Sequence, residues 1–142
     1  MFASMEAVIA ALDAFVPDGN DDTHHQYVLL DGFGELTHRE RAVPAMFALL
    51  ERFPEADFGS PGPLVHELEL ISGYETALEL SLIRQPTDLT VWMVNRIINA
   101  STEQAVRGRW LAQLRAVLEH PLASARVRES AAGFIKYQLS GT

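Results

Sequence analysis

Three prolines, Pro54, Pro86 and Pro121, each follow a stretch whose apolar residues recur every three or four positions. That spacing is the mark of an amphipathic helix. Proline stops such a helix because it lacks the amide hydrogen and its ring strikes the preceding turn. A chain interrupted every 32–35 residues is restricted to short helices with short connections, which make neighbours antiparallel. No segment reads as a strand. The expected class is all-α, with six or seven short helices in antiparallel pairs. The proline interval matches the pitch of helical-repeat proteins. The expected architecture is therefore a HEAT-like α-α superhelix forming a single domain over residues 1–142, with an irregular helical bundle as the alternative.

Local signals divide the chain further. Met5, Val8, Ile9, Leu12 and Phe15 predict a first helix over 3–15, ended by Pro17. After the polar stretch "PDGNDDTHHQ", Thr23 and Gln26 have capping-box spacing and predict a short helix to about Leu30. Thr37 and Glu40 have the same spacing and open "HRERAVPAMFALLERF", which Pro44 either kinks or restarts. In "DFGSPGPLVHELE", Ser60 suits the N-cap and Pro61 the first helical position, with Leu64, Val65, Leu68 and Ile71 as one stripe. Tyr74, Ala77, Leu78 and Leu82 line the next helix. Thr87 caps "DLTVWMVNRIINA", whose nearly continuous apolarity predicts the most buried helix. Ser101 and Gln104 suggest a third capping box. Val127, Ala131, Phe134 and Gln138 share one side of the last helix.

Chemistry is harder to find than structure. There is no cysteine, which removes disulfides, thiolate ligands and cysteine nucleophiles. In "HELE", a catalytic His66 supported by Glu67 or Glu69 lacks the second histidine of a zinc-protease motif. Asp18, Asn20 and Asp22 match the first positions of a calcium loop, but its glycine and its final glutamate are replaced by Thr23 and Leu29. His24 and His25 diverge on a helix, so a metal at Asp22 and these histidines is a poor fit. Asn95, Arg96 and Asn99 form a polar stripe expected to hold neighbouring structure, and Trp92 and Trp110 are expected in the core. No catalytic residues, cofactor or metal are expected, and the chain reads as a non-enzyme.

Charge is the stronger guide. The net charge is -8, and residues 1–35 carry seven acids with no Lys or Arg, whereas residues 87–142 carry four acids against seven Lys and Arg. An acidic chain does not suit nucleic acid, which needs a basic face. No apolar run approaches the roughly 20 residues that cross a bilayer, and the first residues do not look like a signal peptide. The expected location is the cytoplasm.

"DFGSPGPLVHELE" and the later "RQPTDLTVWMVNRIINA" carry a resemblance. Over residues 57–100 the chain resembles small, all-helical bacterial immunity proteins encoded beside polymorphic or contact-dependent growth inhibition toxins. The resemblance implies a protein that binds and neutralises a cognate toxin C-terminal domain, often a nuclease. The charge pattern agrees, because a nuclease domain is often basic and an acidic inhibitor can mimic phosphates. The expected partner-binding residues are Asp18, Asp21, Asp22, Asp31 and Glu35, extended by Glu67, Glu75 or Glu79. A helical-repeat adaptor is one alternative, and a metal-dependent hydrolase another.

Overall fold

The computed structural model describes residues 4–56, 58–59 and 62–140. Among them are eight α-helices and no strand: α1 (Met5–Ala14), α2 (Asp22–Leu29), α3 (Val43–Arg52), α4 (Gly62–Glu69), α5 (Tyr74–Arg84), α6 (Asp88–Ala100), α7 (Gln104–Leu118) and α8 (Ala125–Ser140). Two short 3-10 helices, Phe33–Glu35 and Arg39–Ala42, lie between α2 and α3. The count exceeds the six or seven expected. All eight fall on segments that the sequence marks as helical, and the two shortest, α2 and α4, have eight residues each. Helices that short do not hold in water by propensity, so packing sustains them.

Some punctuation acts as its chemistry requires. Ser4 caps α1 by accepting the Ala7 N–H at 3.2 Å. Thr87 and Thr90 form a reciprocal, buried capping box at the start of α6, with both backbone bonds at 3.0 Å. Ser124 accepts the Val127 N–H at the start of α8. Pro44 sits in the first turn of α3 and restarts the helix.

The other three boxes do not form. Residues 37–42 cannot continue through Pro44, which has no N–H to offer the Glu40 carbonyl, so a 3-10 turn intervenes with His38 at φ 55° and no side-chain cap. At α2 the helix begins before Thr23, with Asp21 at the N-cap and no side-chain bond. At Ser101 the chain leaves α6 in extended geometry. Arg107 then donates to the Ile98 and Ser101 carbonyls at 2.6 and 3.2 Å, tying the end of α6 to α7. The expected caps Ser60 and Pro61 lie outside the described residues.

The core centres on α3, not on α6 as the sequence predicts. Six of the ten residues of α3 are buried, against five of thirteen in α6. Helix α3 packs on α1, α4 and α5 at once and leaves only Pro44 and Arg52 exposed, whereas α6 keeps its Asn95–Arg96–Asn99 side. Phe33, Phe47 and Phe58 are fully buried, each contributing about 1.5–3 kcal/mol by leaving water. Phe58 meets Phe15 edge to face at 6.1 Å, so the link between α3 and α4 is itself anchored in the core. Trp110 is a core residue, while Trp92 is only half-buried.

Helices pack in a regular order. α1 packs on α3, α3 on α5 and α5 on α7, while α2 packs on α4 and α6 on α8. The second series is interrupted, because α4 does not pack closely on α6, and α6, α7 and α8 pack on one another as a group. Ion pairs repeat the order. Glu51 of α3 takes Arg84 of α5 (2.8 Å), and Glu69 of α4 takes Arg96 of α6 (2.9 Å). Glu79 of α5 takes Arg109 of α7, and Asp88 of α6 takes Arg126 of α8 (2.9 Å). In each pair the earlier helix supplies the acid and the helix two further on supplies the arginine. The sequence gradient from acidic to basic is thus partly a ladder of internal staples.

Candidate partner-binding surface

The loop before α2 is built by its own aspartates. Asp22 accepts the N–H groups of Asp18 (2.9 Å) and Gly19 (3.0 Å), and Asp18 accepts the N–H of Asn20 (2.7 Å). These bonds fold residues 18–22 into a closed turn and place Asp21 at φ 63°. Asp18 and Asp21 stay exposed, while Asp22 is half-buried beneath the turn. The loop is therefore preorganised: its outward charges are held before any partner arrives.

Asp18, Asp22 and His25 each bring one donor atom within 4.8 Å of the others. The sequence places Asp22 with Asp18 in one reading and with the adjacent histidines in another, and the closed turn brings Asp18, Asp22 and His25 together. Both oxygens of Asp22 already accept backbone N–H groups, so loop closure accounts for this geometry.

The remaining expected residues separate into different settings. Asp31 and Glu35 are exposed at the far end of α2, around the Phe33–Glu35 turn. Glu67 is half-buried on α4, which packs against α2. Glu75 and Glu79 lie on α5, which packs instead on α3, α6 and α7. Glu79 is engaged by Arg109 and by Gln113, which donates at 3.0 Å. Glu75 lines a cleft of about 500 Å3 with Glu69, Tyr74, Arg96, Ile97 and Glu103. Burial first, then the charges of Glu75 and Glu69, push the Tyr74 hydroxyl up to about 12, against the opposing pull of Arg96.

The polar stripe of α6 divides. Gln138 of α8 donates to the carbonyl oxygens of Asn95 (2.8 Å) and Asn99 (2.7 Å), and its own oxygen accepts from Arg107 of α7 (3.0 Å). These amides hold three helices together. Arg96 points elsewhere, gripping Glu69 with two hydrogen bonds (2.9 and 3.1 Å) and lying over the Trp92 ring at 5.0 Å. His66 is exposed and Glu69 is committed to Arg96, so His66 and Glu69 do not pair as their spacing allows. The Arg96 side chain is 50% exposed and that of Glu69 16%. Arg96→Ala is accordingly expected to lower stability by about 1–2 kcal/mol, less than the loss when a fully buried pair is broken. Urea unfolding of the variant checks this.

The structure adds two residues that the charge pattern did not single out. Tyr27 and Val28 stand on the solvent side of α2, between the aspartate loop and Glu35, at 60% and 57% exposure. Their only sequence signal is two apolar residues where the buried face of α2 already has Gln26 and Leu29. No protein-family model, curated protein or solved structure matches this chain.

Proposed function

We propose that the chain is an immunity-type binding protein that captures a basic bacterial toxin domain, often a nuclease, and covers its active or substrate-binding surface without chemistry of its own. The observation that supports this reading is where acid remains uncompensated. Glu51, Glu69, Glu79 and Asp88 each have an arginine from a later helix. Asp13, Asp18, Asp21, Asp22 and Glu35 have no such partner among the described residues, and residues 1–35 contain no Lys or Arg. Glu55, Glu67, Glu75, Glu103, Glu119 and Glu129 have no such partner among the described residues either, but they share their parts of the chain with Lys and Arg, whereas residues 1–35 have none and that segment alone keeps all its charge negative. Retaining that charge costs self-repulsion, and a basic partner offsets the cost. Such a field accelerates encounter and selects partners more than it deepens affinity. No helix among the described residues is long and apolar enough to cross a membrane.

The test uses the purified C-terminal domain of the protein encoded immediately upstream. Tight binding and protection of cells expressing that domain are expected. Asp22 closes the loop, so the charge variant spares it: Asp18→Asn/Asp21→Asn/Glu35→Gln. Association is expected to slow about tenfold at low salt, with a smaller difference at moderate salt and an unchanged melting temperature. No binding by the unaltered chain overturns the reading. Equal association rates at both salt concentrations remove this end from the interface.

A further inference from the structure

We infer that the outer face of α2 is the docking surface, with Tyr27 and Val28 as its apolar centre and the flanking acids as its rim. This rests on the reading above and narrows it to one helix. Three observations carry it. Tyr27 and Val28 are large, adjacent and more than half exposed, although α2 has a buried side. Isolated exposed apolar residues are ordinary, but these two stand inside a charged frame. Asp18 and Asp21 flank one end of the helix and Asp31 and Glu35 the other. Stable interfaces have this anatomy, an aromatic or aliphatic centre within a polar rim. Finally, the loop at the N-terminal end is already closed by its own hydrogen bonds, so docking orders little extra chain.

Charge selects the occupant. A nucleic acid or an anionic lipid surface is repelled by the rim. A second copy of this face would set aspartates against aspartates. A folded protein domain whose basic surface surrounds an apolar spot satisfies both the centre and the rim. The acids of α5 take no part, since α5 packs on α3, α6 and α7 while α2 packs on α1 and α4, and Glu79 is held by Arg109.

Binding of the same upstream-encoded toxin domain, measured by biolayer interferometry, tests the inference. Tyr27→Ala is expected to weaken binding at least tenfold, chiefly through faster dissociation, and Val28→Ala by a few-fold. Leu139→Ala, which alters an equally exposed residue on α8 (63% exposed), is the control and is expected to bind as the unaltered chain does. Melting temperatures establish that each variant is folded. Full affinity in Tyr27→Ala, with the unaltered chain binding normally, overturns this inference and leaves the functional reading standing. No binding by the unaltered chain overturns both. A homodimer in solution that Tyr27→Ala dissociates would assign the face to self-association and also overturn it.

Discussion

Gly59→Ala is expected to destabilise the protein by about 3 kcal/mol, lowering the melting temperature by roughly 10 °C. Gly59 has φ +103°, a conformation that residues with a Cβ rarely adopt. A Cβ there would also lie 2.8 Å from the Gly62 Cα and 3.1 Å from the Gly62 N. Both are backbone atoms and cannot rotate aside, so the start of α4 must shift. The shift is transmitted directly, because the preceding Phe58 is buried against Phe15. Strained backbone costs on the order of 1–3 kcal/mol, and displaced core packing adds to it. Gly62→Ala is the comparison. It also has positive φ, +83°, but a Cβ there meets nothing within 4 Å, so it should lose only about 1 kcal/mol. Equal losses in the two variants would show that the loop accommodates the Cβ of residue 59.

Gln26→Met is expected to act in the opposite direction, stabilising the fold by about 2 kcal/mol. Gln26 is 1% exposed, and neither its side-chain oxygen nor its nitrogen has a hydrogen-bond partner among the described residues. A buried amide without partners costs about 1–3 kcal/mol in proteins. Methionine has a similar length and no strong polar atom, so it fills the same space without that cost. The melting temperature should rise by about 4–8 °C. A fall would show that the amide is hydrogen-bonded in solution. The position links stability to function: Gln26 lies on the inner side of the helix whose outer side carries Tyr27 and Val28. Proteins commonly keep such unfavourable groups in elements used for binding. If α2 adjusts when the partner docks, Gln26→Met should also slow that adjustment.

The sequence was most informative where a single residue has a single backbone consequence. Pro54, Pro86 and Pro121 each fall in a connection between helices, because a missing amide hydrogen acts wherever it is placed. Thr87 caps α6 as its side chain requires. The stripe Leu64, Val65, Leu68 and Ile71 is buried throughout, since apolar periodicity and burial share one cause. Capping-box spacing was less reliable. Thr23 and Gln26 yielded to Asp22, which closed the loop first, and Ser101 yielded to Arg107, which drew the end of α6 toward α7. In each case a long-range or competing local bond displaced a weak local preference.

The candidate surface was legible in part for the same reason. The lack of Lys or Arg in residues 1–35 is a property of the chain and needs no fold. Whether a later acid stays available depends on which arginine reaches it, and the pairs that decide this join residues 27–38 positions apart. Glu79 could not be told from Asp18 and Asp21 until α5 was packed against α7. Tyr27 and Val28 read as ordinary helix residues until α4 and α1 had covered the other side of α2. What the sequence determined by itself is the all-α class, the main breaks between helices and the acidic end, because backbone chemistry and formal charge are carried by each residue alone. The tertiary structure decided which helix is most buried, which acids are neutralised and which apolar residues remain outside, because burial and ion pairing exist only once distant segments are brought together.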